Sequence, residues 1–185
     1  MKKYGGVKIG SASLAYGAMF AALVTVSTMI IKMPIPVTGG YIHPGDGLVL
    51  LSGICLGPVG ALAAGVGSAL ADLLSGYVVY MPATLIIKGL SAWICAVIWR
   101  QLEEGLFGKG FPIFGKGSSR KVGQALAVLL AGSAAEMWMV AGYFLFECLL
   151  YNPETASAAV LFNGIQGLFG VVIAIVLAPL LPKIQ

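Results

Sequence analysis

The chain has 185 residues, 59% of them hydrophobic and only 10% charged, with a net charge of +4 and a mean hydropathy of +0.97. A soluble domain carries about a quarter of its residues as charges, so this composition excludes one and identifies an integral membrane protein. No GxxxxGK[ST] loop is present to cradle a nucleotide, and the length leaves no room for an ATPase domain beside the spans.

A helix needs about 20 apolar residues to cross the hydrocarbon core. The first candidate, 7–31, follows a basic N-terminus. It is longer than a signal-peptide core and no small-x-small cleavage site follows it, so it reads as a retained span. Small residues recur four apart in "SASLAYGAMFAALVTVS": Ser11 and Ala15, Gly17 and Ala21, Ala18 and Ala22. Such stripes let helices approach closely, either inside the fold or against a partner.

Next comes "GGYIHPGDG" (39–47), which holds the sole histidine, His43, and Asp46. Its glycines and proline suit tight turns, so the segment can fold back as a lid. Asp46 then either donates its polar group to the lid or caps the following helix; His43 either binds or rests among headgroups. Segment 46–57 is apolar but short, a tilted crossing or a dip, and Gly57 and Pro58 turn the chain into 58–76. That third segment is rich in small residues, which suits internal packing, and carries Ser68, Asp72 and Ser75 on one stripe. Further spans are expected at 82–100, 123–150 and 158–181. The polar connector at 102–122 links two halves and reads as a cytoplasmic loop.

Lys and Arg gather on the cytoplasmic side of short loops. Six spans with both termini inside put Lys2, Lys3, Lys8, Arg100, Lys109, Lys116, Arg120, Lys121 and Lys183 in the cytoplasm, nine of the 11 basic residues. Only Lys32 then lies outside and Lys88 within a span. Five spans would destroy that asymmetry. The expected architecture is therefore an all-α membrane protein, a compact bundle of six transmembrane helices over 1–185 as a single domain. Cys55, Cys95 and Cys148 share no metal-ligand spacing and read as small core residues. No metal or cofactor site is expected.

Polar groups inside spans cost several kcal/mol unless paired or wetted. Lys88 falls about 9 Å into its helix at 1.5 Å per residue. Thr84, Lys88, Ser91 and Cys95 share one face by spacing; Glu136, Tyr143 and Glu147 share another, and Asn163 and Gln166 lie near the start of the last span. One reading is a structural ion pair of Lys88 with Asp72 or Glu136. The other is a binding site, because Lys88, Asp72, Asn163, Tyr143 and Glu147 all belong to the outer half, with His43 and Asp46 on the same side. Tyr77, Tyr80 and Met81 in "SGYVVYMP" (75–82) suit an interfacial belt or a flat ligand.

These features resemble the substrate-binding S components of energy-coupling factor (ECF) vitamin transporters, in particular the riboflavin-type group that also includes pyridoxine and hydroxymethylpyrimidine members. The resemblance rests on the length, the spans, "AMFAA" at 18–22, "GGYIHPGDG", and above all "GSALADLLSGYVVYMPATLIIKGL" at 67–90. It implies a subunit of a bacterial-type plasma membrane that binds a vitamin in an outward-facing pocket. That subunit docks on a membrane coupling subunit bearing two cytoplasmic ATPases and topples in the lipid bilayer to release its cargo. By position the resemblance implies a pocket drawing on His43, Tyr77, Tyr80, Thr84, Lys88, Tyr143, Glu147, Asn152 and Asn163, and a coupling contact at Ala15, Ala18 and Ala22. The residue types favour a small, flat, hydroxylated heterocycle such as pyridoxine or hydroxymethylpyrimidine, with riboflavin, thiamine or a queuosine precursor behind. Nothing indicates an enzyme or a nucleic-acid partner. The rival reading is a self-sufficient proton-coupled transporter working through Asp72 or Glu136.

Overall fold

A computed structural model describes residues 3–4, 7–8, 10–35, 38–107 and 118–180. Among these, six α-helices make up nearly all of the structure: α1 (Ser11–Ile30), α2 (Asp46–Leu56), α3 (Pro58–Leu74), α4 (Met81–Phe107), α5 (Ser118–Leu150) and α6 (Pro153–Leu177). Two short antiparallel pairs complete it, β1 (Lys3–Tyr4) with β2 (Val7–Lys8) and β3 (Met33–Pro34) with β4 (Tyr41–Ile42). The first helix starts four residues later than the sequence suggests, because residues 7–8 pair as a strand. The connector expected at 102–122 is shorter than it reads. Both flanking helices extend into it, and 108–117, with Lys109 and Lys116, lie outside the described residues. So do Lys2 and Lys183.

Four helices, α1, α4, α5 and α6, are long and apolar enough to cross a membrane. The α2 helix, at 11 residues, reaches only about 16 Å. It is apolar on every side, the mark of a helix enclosed by others, and α4, α3, α6 and α1 all pack on it. Val49, Leu50 and Leu51 have no exposed surface. Because protein surrounds α2, its ends need not reach the membrane surface.

The turn from α2 into α3 depends on Gly57, whose φ of 56° is costly for any residue with a Cβ. Beyond it, Gly60 lies against the Ser52 backbone so closely that a methyl group would overlap the carbonyl, and the Ser52 hydroxyl donates to Gly60 O at 3.0 Å. This contact clamps α2 and α3 into a tight hairpin. The small residues of α3 pack inward as expected: Gly65 approaches the Leu85 backbone and Gly67 that of Ala21.

At one end of the bundle α5 and α6 run together, with Trp99, Leu50, Leu51, Val128 and Val171 forming the main apolar core. At the other end, where α1 finishes and α4 begins, residues 31–35 and 38–45 fold over the helix ends. Ile35 and Ile42 anchor it against Ala159 of α6. Leu14, Met19, Leu23 and Val26 of α1 are exposed on the outside of the bundle, as are Leu161, Leu168 and Phe169 of α6.

Candidate functional site

Beneath the folded-over segment lies a cavity of about 30 Å³ lined by Thr28, Ile35, Gly40, Tyr41, His43, Ser68, Asp72, Tyr80, Thr84, Tyr143, Glu147, Asn163 and Gln166. That is room for one or two waters. Five helices and the two connections α1–α2 and α3–α4 contribute, so the site exists only in the assembled bundle.

Hydrogen bonds hold its walls. Tyr41 donates to Asp72 at 2.7 Å, Thr84 and Tyr143 share a bond of 2.9 Å, and Tyr80 donates to Glu147 at 3.2 Å. The hydroxyls of Tyr80 and Tyr151 both donate to Thr38 O, at 3.2 and 2.7 Å, tying the loop to α4 and to the α5–α6 corner. Four of the lining residues keep a buried polar atom with no hydrogen-bond partner in the protein: Thr28 Oγ1, Ser68 Oγ, Asp72 Oδ2 and Glu147 Oε2. Buried polar groups are ordinarily satisfied. These four residues, from α1, α3 and α5, all line the same cavity.

A second layer fixes the loop from below. Lys88 Nζ pairs with Asp46 Oδ1 at 2.6 Å, both side chains being almost fully enclosed. Gln166 donates to the other oxygen, Asp46 Oδ2, at 2.7 Å, while its own Oε1 accepts the His43 backbone N–H at 3.0 Å. One glutamine of α6 thus joins the loop to the ion pair. This corrects the sequence-based pairing of Lys88 with Asp72 or Glu136. Asp46 is the first residue of α2, but its side chain makes no cap bond; it turns into the bundle to meet Lys88.

His43 lies in the connecting loop, 7% exposed, with Nδ1 accepting the Gly45 N–H at 3.1 Å. Burial pushes its imidazole down to about 4, so it stands neutral at pH 7 and carries its proton on Nε2. The Tyr41 ring lies 5.5 Å from it and 4.4 Å from the Tyr77 ring, and Lys32 stands over the Tyr41 ring at 5.4 Å while donating to Ser75.

Of the nine residues expected in a pocket, His43, Tyr80, Thr84, Tyr143, Glu147 and Asn163 line the cavity together. Lys88 does not; it sits against the Tyr143 ring, Nζ 5.4 Å from the centroid, committed to Asp46. Tyr77 is half-buried at the rim against Tyr41. Asn152 is exposed and caps α6, accepting the Thr155 N–H at 2.8 Å. Thr28, Ile35, Gly40, Tyr41, Ser68, Asp72 and Gln166 complete the lining and were not among those nine. Tyr41 stands two residues from His43, so on an extended strand it shares His43's face, a signal the sequence carried. The three small residues Ala15, Ala18 and Ala22 are all exposed on α1, whereas Gly17 packs on Val59. Cys55, Cys95 and Cys148 are free thiols, the first two buried.

A closed polar cavity at one end of an apolar bundle, with four helices fit to cross a bilayer, marks a multi-pass membrane protein. Residues 8–183 match the family described as ECF-type riboflavin transporter, S component. The chain belongs to that family, the vitamin-binding subunits of transporters that work with a coupling module. It is also 35% identical over 151 residues to a Pyrococcus woesei protein described as "Uncharacterized protein in gap 3'region", covering 81% of this chain and 88% of that one.

Proposed function

We propose that this chain, as a single transmembrane domain of six spans with cytoplasmic termini, captures one flat, neutral, hydroxylated heterocycle from outside the plasma membrane. It then delivers the compound inward by toppling on a coupling subunit driven by two ATPases. The observation that carries the reading is the set of four orphaned polar atoms facing one cavity. Asp72 and Glu147 supply acceptors for hydroxyl or ring N–H donors, Ser68 and Thr28 supply hydroxyls, and Tyr41, Tyr80 and Tyr143 offer ring faces.

The residues also limit the charge of the ligand. Lys88 is already neutralised by Asp46, and two of the four free valences belong to carboxylates, the other two to hydroxyls. An anionic ligand would meet no spare cation in this cavity. Riboflavin, which the family description supports, and pyridoxine both meet these demands. Drug-sized ligands occupy about 300–1,000 Å³, so the lid formed by residues 31–35 and 38–45 must move outward for either to bind.

Mass spectrometry of the compound that co-purifies with the protein tests the reading. One heterocyclic vitamin at near 1:1 occupancy is the expected result; a lipid or nothing, together with no change in tryptophan fluorescence across a panel of B vitamins, would overturn it. Asp72→Asn is expected to weaken binding at least tenfold, or about 1.4 kcal/mol, with the melting temperature nearly unchanged. The same variant binding as tightly as the wild type would remove Asp72 from the site.

A further inference from the structure

One buried group is used by neither the cavity nor the ion pair. Glu136 of α5 is 6% exposed, and neither of its carboxyl oxygens has a hydrogen-bond partner. It lies where α6 has no side chains: a Cβ at Gly167 would come within 2.9 Å of Glu136 Cβ and 3.2 Å of its Oε2, and one at Gly170 within 3.3 Å of its Oε1. The same Gly170 position is 2.7 Å from the Asp46 Cβ, so the two acidic side chains converge on one notch in α6. The groups that act on Glu136 are Asp46 of α2 and Lys88 and Cys95 of α4; α6 faces it with Gly167 and Gly170. His43 in turn senses Asp46 and Lys88.

Charge accounting decides its form. Asp46 and Lys88 neutralise each other, and Asp46 has both oxygens occupied. An ionised Glu136 would be a bare negative charge in a nonpolar interior, a state that buried groups escape by holding a proton.

We propose that Glu136 is a proton-binding site and the reserve counter-ion of Lys88. While Asp46 holds Lys88, Glu136 carries its proton. When the lid draws the start of α2 away, Asp46 becomes hydrated, Glu136 releases its proton to the water that enters, and the carboxylate takes the Lys88 ammonium. Charge balances at each stage: one proton leaves and one buried ion pair replaces another. Opening of the site then releases a proton and closing takes one up. The opening step rests on the lid reading given above; the resting state of Glu136 does not.

The geometry also supplies the test. Glu136 and Ser133 are the polar members of a groove of about 540 Å³ between α5 and α6, otherwise walled by residues such as Met137, Phe144 and Leu168. Met137 and Leu168 are exposed on the outside of the bundle, so a membrane-soluble reagent can reach the floor. Dicyclohexylcarbodiimide reacts with a protonated carboxyl: the acid proton moves to a carbodiimide nitrogen and the carboxylate oxygen bonds to its central carbon. Purified protein in liposomes, with no vitamin present, is treated at pH 5 to 8 and the adduct located by peptide mass spectrometry. Modification of Glu136 at pH 7 is expected. In Asp46→Asn, where Lys88 turns to Glu136, modification should fall at least tenfold, and in Asp46→Asn with Lys88→Met it should return to the wild-type level. No adduct at Glu136 in the wild type at any of these pH values overturns the proposal, as does an undiminished adduct in Asp46→Asn. Should Asp46→Asn fail to fold, the wild-type result and the double variant decide. A protein that binds no vitamin but is modified at Glu136 would count against the proposed substrate reading and leave this one standing.

Discussion

Lys88 and Asp46 show how one pair can dominate a site without touching its ligand. Burying two charges costs several kcal/mol each, repaid only by close geometry and further hydrogen bonds; here Gln166 provides one such bond. Removing one partner strands the other, at about 3–5 kcal/mol. Lys88→Met alone should therefore lower the melting temperature markedly, and adding Asp46→Asn should restore most of it. Thermal melts of the two variants in detergent check this, and equal losses in both would mean that the pair is not what holds the loop. His43 sets the pH response. Its imidazole stands near 4 when folded against about 6.5 when unfolded. Between these values the unfolded chain takes up a proton that the folded loop refuses, so His43 lowers stability as pH falls below about 6.5 and has no effect above it. Melting temperatures should be flat from pH 7 to 8 and decline below that window, with a shallower decline in His43→Gln. Parallel declines would assign the pH effect to other groups.

Among the elements, α1 and α2 stand in contrast. The short α2 is enclosed, and its length is set by protein packing instead of membrane thickness. The α1 helix packs chiefly on α3 and turns Ala15, Ala18 and Ala22 outward. Small residues on a lipid-facing surface add little to packing within the chain and let a second helix approach closely, which supports α1 as the coupling surface. Replacing both Ala18 and Ala22 with Leu should leave vitamin affinity and melting temperature unchanged while reducing uptake by reconstituted transporter at least tenfold. Unchanged uptake would move the coupling surface elsewhere; lost binding would make the stripe part of the fold.

For the whole molecule, the cavity lies at one end of the bundle over an apolar core that includes Leu50, Leu51, Val128 and Val171, and the family works with a coupling module. On the proposed reading, transport is a property of that assembly. Liposomes carrying this chain alone should bind vitamin without accumulating it, and accumulation should appear when the coupling subunit, its ATPases and ATP are supplied. Accumulation by the chain alone under a proton gradient, abolished by an uncoupler, would favour the proton-coupled transporter instead.

Composition and the spacing of apolar runs were enough to read the membrane class and the helices, and motifs such as the 67–90 stretch carried the resemblance to the family that the chain belongs to, because each depends on periodicity or on local pattern. Six of the nine residues that the family resemblance implied for a pocket line the cavity; a polar side chain in a span must find either a partner or a wet space. Which of those two it finds is a matter of tertiary distance. Only the folded bundle pairs Lys88 with Asp46, 42 positions away in the chain, and leaves Asp72 and Glu147 with unpaired oxygens. It alone sends Asn152 to cap a helix and brings Glu136 to the notch at Gly170. Local pattern fixes which face a side chain occupies; the choice of neighbour is made where five helices and the segments between them meet.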